Sequence, residues 1–368
     1  MKVLRFNLFL LLSLVMVSCF NKKHISVPSK EIDCRNMADI TIQGSKLDIE
    51  VLGVKDICIC DSWLLFNTRD ASGYLKIYSL DNLEELASIC PRGRAANEFN
   101  SPSLLSKQYY HRDGDAFLPM IDNKAFIKEV NLTQSLKRNR TVIGERGDNM
   151  NSYLGTSLIV NKNLSERFEY YYSVRDEMVV EEENYLPPYY YLTNGEDKKQ
   201  IKVFPRVMDS DEGYYASVCY SSGLINHPTK NVIVQYFTFM DYLIYFDLDN
   251  KNTFAVHQSG SLSFDSFMDS KANDGKTIFH FCAADCTPDF LLFLYGANDS
   301  TIKADDYENA PFDILLFDWE GNYLTGAHLN HVVHDIAYDS KNKKLYGIDR
   351  SDESVYQFDL SELVKDYE

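Results

Sequence analysis

YLIYFDLDNKNTFAVHQ, Tyr242 to Gln258, is the stretch from which the architecture can be read. An apolar, aromatic-rich run ends at Asp247, a short polar turn follows, and a second strand-like run closes the unit. The same unit recurs as YLKIYSLDNLEELASIC from Tyr74, FIKEVNLTQSLKRNRTVIG from Phe126 and YYYLTNGEDKKQIKVFP from Tyr189. It returns as DILLFDWEGNYLTGAHL from Asp313 and, shortened, as SVYQFDLSEL from Ser354. Most copies are preceded by a further strand: WLLFNT, NVIVQYFTF, FLLFLY and KLYGID. Each copy therefore supplies the third and fourth strands of a four-strand meander, and the spacing between copies leaves room for the other two.

Six such meanders predict an all-β fold, a six-bladed β-propeller. The last copy stops short, because only SELVKDYE follows its third strand. The N-terminal stretch ADITIQGSKLDIEVLG, residues 38–53, is strand-like and has no other partner. It is expected to complete the last blade, closing the ring and removing an exposed sheet edge. Two β-sandwiches would show a linker near the middle, and a β-helix would show shorter, more uniform repeats. Two stretches read as loops or insertions: RDEMVVEEENYLPPYYYL from Arg175 within the third blade, and SGSLSFDSFMDSKANDGK from Ser259 between the fourth and fifth. With 25 Tyr and 22 Phe, the composition suits pleated, half-buried surfaces.

The N-terminus indicates location. Lys2 and Arg5 precede an apolar run from Phe6 to Val17, too short to span a bilayer comfortably, which reads as a secretory signal. It ends in Met16-Val17-Ser18-Cys19, similar to a bacterial lipobox, so Cys19 is the expected acylation site. The domain reading is a lipoprotein signal peptide over 1–18, a flexible tether over 19–36 and a single propeller over 37–368. The segment after Cys19 lacks an acidic run of the kind associated with surface export, which points to a periplasm-facing protein on the outer membrane. The net charge of −17 argues against a nucleic-acid partner and against adsorption to anionic lipid, leaving the acyl chain as the membrane attachment.

Seven cysteines remain besides Cys19, an odd number that cannot form a complete intramolecular disulfide framework. Cys58/Cys60 and Cys282/Cys286 have spacings that also occur in metal sites, but their flanks read as strand interiors, where free cysteine behaves as a small hydrophobe.

The corner CPRGRAANEFNSP, Cys90 to Pro102, links the first meander to the second. Together with the lipobox and the six irregular blades, it resembles the TolB-like six-bladed propeller lipoproteins of Bacteroides and relatives. In that family a G-x-G-x-G-P-x-E-F element commonly follows the first blade. Gly93, Glu98 and Phe99 match it, Pro102 follows, and Ala95-Ala96-Asn97 replaces its Gly-Pro portion. The resemblance implies a propeller in the cell envelope and brings no established catalytic residues.

Two groups are candidate ligand contacts. Arg92 and Arg94 flank a glycine, but no helix pattern or Gly-Lys-Ser/Thr follows, so a phosphate-cradling loop is not indicated. Glu98 and Phe99 read mainly as structural parts of the corner, with the arginines facing a mouth of the ring. HLNHVVHDIAYD supplies His328, His331, His334 and Asp335, a combination suited to metal or acid–base chemistry. Its i, i+3, i+6 spacing fits neither one helix face nor one strand face. The candidate site is therefore Arg92, Arg94, Glu98, His331, His334 and Asp335. No cofactor is expected; a divalent metal at His331, His334 and Asp335 is the weaker candidate. No nucleophile elbow or His-Glu-x-x-His occurs, and the Asp-rich stretches at 209–213 and 296–306 read as solvated turns. The leading expectation is a non-enzymatic module that binds a protein, peptide or glycan, and the alternative is a metal-assisted, lactonase-like hydrolase or a lyase.

Overall fold

In the computed structural model, residues 27–34, 40–123, 126–147, 155–171, 189–195, 197–201, 221–261, 279–296, 312–349 and 351–367 are described. The signal peptide, Cys19, Cys219 and most of both insertions lie outside the described residues.

Six antiparallel sheets follow one another along the chain as the blades of a propeller. The first blade runs Val54–Cys60, Trp63–Thr68, Leu75–Ser79 and Glu85–Ile89. In the second blade the inner strand is split into Pro102–Leu104 and Tyr110–Arg112, both paired with Asp115–Asp122. Phe126–Asn131 and Ile143–Gly147 complete it. The third blade is Gly155–Val160, Asn163–Tyr171, Tyr189–Asn194 and Asp197–Ile201. The fourth is Ser222–Asn226, Val232–Phe237, Tyr242–Asp247 and Asn252–Gln258. The fifth is Phe281–Cys286, Phe290–Tyr295, Asp313–Asp318 and Tyr323–Leu329. The sixth has Val333–Asp339, Lys344–Asp349 and Val355–Asp359, and Gly44–Lys46 adds antiparallel to Val355–Asp359 as its fourth strand. The ring closes as the sequence predicts. The short helix Ser361–Val364 follows the last strand, with Leu363 and Val364 buried.

The acceptor residue that ends the first run of several repeats has a local cause. Asp247 accepts from Asn250 N at 2.9 Å, Asp318 from Asn322 N at 2.7 Å, and Asp359 from Ser361 N at 2.9 Å. A side-chain oxygen there replaces a backbone partner and turns the chain. In the second blade the same position, Asn131, starts a helix instead. Its Oδ1 accepts from Gln134 N at 2.8 Å, Leu132–Arg138 forms two turns, and Asn139 ends them in the left-handed region with φ 48°.

Packing between the third and fourth blades is rich in aromatic rings. Phe168 and Tyr190 of the third blade meet Phe246 of the fourth at centroid distances of 4.9 and 5.0 Å, all fully buried. The inner strands of neighbouring blades abut around the axis. Before the closing strand, the chain also skirts the rim. Ser29–Ile32, within the stretch 19–36 read as a tether, pairs in parallel with the outer strand of the fourth blade. Thr41–Ile42 does the same on the fifth.

Candidate functional site

The inner strands of blades one and six begin alike, Val54-Lys55-Asp56-Ile57 and Val333-His334-Asp335-Ile336. Both carry a bulge at the second of these residues. The bulge re-aims side chains locally, and it leaves Asp56 and Asp335 in equivalent places. Asp335 Oδ2 accepts from Ile57 N of the next blade at 2.9 Å. Asp56 likewise accepts from Leu104 N of the second blade. Asp285 of the fifth blade accepts from Tyr338 N of the sixth at 2.6 Å. Three carboxylates thus satisfy backbone donors across three successive blade junctions.

Their counterion comes from the gap in the inner strand of the second blade. Ser106 and Lys107 are both left-handed, with φ 49° and 53°, an unfavourable pair for non-glycine residues. Lys107 Nζ forms an ion pair with Asp335 and donates to Ile336 O at 2.7 Å. The next residue, Gln108, donates to Ile159 O at 2.6 Å and accepts from Ile159 N at 2.8 Å, fastening the second blade to the third. These anchors hold the strained segment in place.

Burial works to lower the Lys107 pKa, but the carboxylates of Asp335, Asp285 and Asp56 outweigh it and hold the ammonium above its ordinary value. Burial and the like charge of Asp335 push the Asp56 carboxyl up, against the Asn67 amide and Lys107. Burial also raises Asp285, opposed first by Lys107. Burial pushes the Cys58 and Cys286 thiols up as well, which disfavours their thiolates.

A cavity of about 370 Å³ is lined by the ends of the inner strands and the turns that follow them, with Lys107 and Asp285 in its wall. Tyr109, Lys162, Asn226 and Thr229 also line it and are shared with an adjoining cavity of about 300 Å³. Tyr109 is 38% exposed, and Lys162 is exposed on the left-handed Asn161-Lys162 turn. Together they present an aromatic face and a cation beside polar groups, a surface suited to recognition.

The residues singled out in the sequence do not converge. Arg92 and Arg94 are exposed on a corner that enters the inner strand of the second blade, whereas the cavity lies where inner strands end. Glu98 lies over Gly93, where a side chain would collide with it, and accepts from Ala95 N at 2.9 Å. Phe99 is fully buried among Leu104, Leu118, Met120 and Val130. His328 pairs with Asp313 at 2.6 Å on an outer strand. His331 stacks on Tyr356 at 4.0 Å, and His334 is the bulged residue of its strand. Only Asp335 reaches the axial cluster. Among the described residues no three His, Cys, Asp or Glu side chains are grouped to hold a metal. Sequence reading missed Lys107, Asp56 and Asp285; the repeated Val-x-Asp-Ile was an available signal for Asp56 alone.

No family model and no curated protein matches the chain. Among solved structures it is similar to a member of the DUF4221 family from Bacteroides vulgatus, with TM-score 0.52 and 11% identity over 88% of this chain and 96% of that one. It is also similar to a candidate exported protein from Bacteroides fragilis, with TM-score 0.49 and 11% identity over 90% and 99%. At this identity the first likeness establishes the propeller fold.

Proposed function

We propose that the chain is a lipid-anchored binding module of the bacterial cell envelope, allied to the TolB-like propeller lipoproteins and taking a protein, peptide or glycan at one end of the ring. Cys19 is the acylated residue, and the tether after it holds the propeller at the outer membrane, facing the periplasm. The cavity that joins Tyr109 and Lys162 carries the reading. It stands on a scaffold whose blades are fastened to one another beside it, so its wall is pre-organised, and pre-organisation favours recognition. Arg92 and Arg94 give the opposite end a second exposed cationic patch.

Binding of the purified protein to immobilised peptide and glycan sets tests the reading. Binding lost in Tyr109→Ala and Lys162→Glu supports it. Binding unchanged in both moves the site elsewhere, and turnover of a bound molecule replaces the module with an enzyme. Acyl labelling of the full chain, abolished by Cys19→Ala, tests the anchor.

A further inference from the structure

The turns that follow the inner strands do not share charge evenly. Those of blades three and four carry Lys162 and Lys230, both exposed, and both line the smaller cavity. Among the described residues that line the two adjoining cavities, Asp285 is the only carboxylate, and it is buried under the influence of Lys107. Asp61, Asp113 and Asp289 stand on the corresponding turns of blades one, two and five but line neither cavity, and Asp61 pairs with His111 at 2.9 Å. Glu166, beside the Lys162 turn, accepts from the amides of Asn161 and Asn163 at 2.8 and 3.1 Å. In a chain of net charge −17, this opening is cationic.

Both lysines are set by their turns. Asn161 and Lys162 form a two-residue hairpin turn with φ 54° and 58°. Such turns favour glycine at the second position, because a residue with a Cβ is strained there. Lysine holds a cation in that place despite the strain. The other turn is fastened from beneath. His227 is buried, and its Nδ1 accepts from Thr229 N at 3.0 Å and Lys230 N at 3.1 Å. A ring nitrogen that accepts carries no proton, so the imidazole is neutral, and burial and Lys230 lower its pKa. The ring packs on Trp319 at 4.6 Å. Thr229 and Lys230 are thus presented on a fixed loop.

Tyr109 supplies an aromatic face held at both ends. Its hydroxyl accepts from Asp61 N, and His111 meets the ring edge-on at 6.0 Å. Asn226 and Thr229 add neutral hydrogen-bonding groups to the same wall. An aromatic face takes the apolar side of a sugar ring, amides and hydroxyls take its hydroxyl groups, and ammonium groups take an acidic substituent. A peptide would instead use a sheet edge, an apolar groove or a polyproline groove. The described walls, made of turns and the ends of paired strands, offer none of these.

We propose that the joined cavities take an anionic saccharide, its carboxylate or sulfate held by Lys162 and Lys230 and a sugar face laid on Tyr109. This rests on the reading of the cavity as the binding site and narrows it to one class of ligand. The volumes of about 300 and 370 Å³ suit a short oligosaccharide rather than a long chain.

Titration calorimetry of the full chain decides it, with a galacturonate trisaccharide, a sulfated chondroitin disaccharide, a neutral galactose trisaccharide and hexaglutamate as probes. At least one acidic saccharide is expected to bind at least about tenfold more tightly than the neutral one. That preference is expected to shrink as salt rises. Which acidic saccharide binds separates carboxylate from sulfate. Lys162→Gly/Lys230→Gln is expected to remove the preference, whereas Tyr109→Ala weakens acidic and neutral saccharides alike. Because glycine suits the turn, Lys162→Gly alone is expected to be at least as heat-stable as the parent, so its lost affinity is not a folding defect. A neutral saccharide bound as tightly as the acidic ones, or a preference for hexaglutamate, overturns the ligand class, while a loss in Tyr109→Ala still keeps the cavity as the site. Binding insensitive to all these substitutions overturns both. If no saccharide binds, the inference fails, and the cavity reading then stands or falls on peptides alone.

Discussion

Lys107 reaches from the second blade to the sixth, where its ammonium meets Asp335 and donates to Ile336 O at 2.7 Å. Asp335 in turn accepts from Ile57 N, so one ion pair touches blades two, six and one. Lys107→Met leaves Asp335 buried without its counterion, beside Asp56 and Asp285. The expected loss is about 3–5 kcal/mol in denaturant unfolding. Lys107→Met/Asp335→Asn removes both charges and is expected to be the more stable of the two variants. A double variant no better than the single would contradict the pairing.

Gln108 makes two hydrogen bonds to the backbone of Ile159, one through each end of its amide. Gln108→Leu leaves a buried N–H and C=O unpaired, at about 1–3 kcal/mol each. The denaturation midpoint is expected to fall accordingly, and hydrogen exchange at Ile159 N–H to rise. Unchanged protection at that amide would show that the side chain is dispensable.

The order of blades and the closing strand were legible because each repeat joins an apolar run to a side-chain acceptor such as Asp247 or Asp318. These are local signals, and blade formation is a local event. Lys107 was hidden for the opposite reason. It lies in SLLSKQYYHRD, which has no clear period, and its partner is 228 residues away. Asp56 and Asp285 lie in cysteine-bearing strands, VKDICIC and FCAADC, and their role depends on backbone donors of the next blade, which local sequence does not show. Ser29–Ile32 carries little apolar signal, since its pairing is made by backbone groups against an edge. His334 and Asp335 are adjacent, yet the bulge at His334 and the ion pair at Asp335 give them different roles.

Glu129 gives the second blade a pH dependence. It is fully buried, bonded to Tyr110 OH and Arg112, and burial pushes its carboxyl up to about 7, against donation from Glu145 N. The reference value is 4.5, so between about 4.5 and 7 the folded state binds more protons than the unfolded state. Stability from this group is full at the acid end of that window and is lost as pH rises through about 7. Unfolding free energy measured across the window is expected to decline with rising pH in the parent, and less steeply in Glu129→Gln. Equal slopes would remove Glu129 as the source.

The corner between the first two blades separates packing from recognition. Phe99 is fully buried between the blades, with Lys128 Nζ over its ring at 4.5 Å. Lys128 is itself held by Asp122 at 2.7 Å and by Glu98 O at 2.6 Å. Phe99→Ala is therefore expected to cost about 3–5 kcal/mol, the range for deleting a buried aromatic ring. Arg92 and Arg94 are exposed on the same corner, so Arg92→Ala/Arg94→Ala is expected to stay within about 0.5 kcal/mol of the parent. Thermal unfolding of both variants checks the contrast. If the arginines form a recognition patch, their variant keeps its stability and loses affinity for whatever binds that end of the ring. A large stability loss in the arginine variant would instead make them part of the corner's framework.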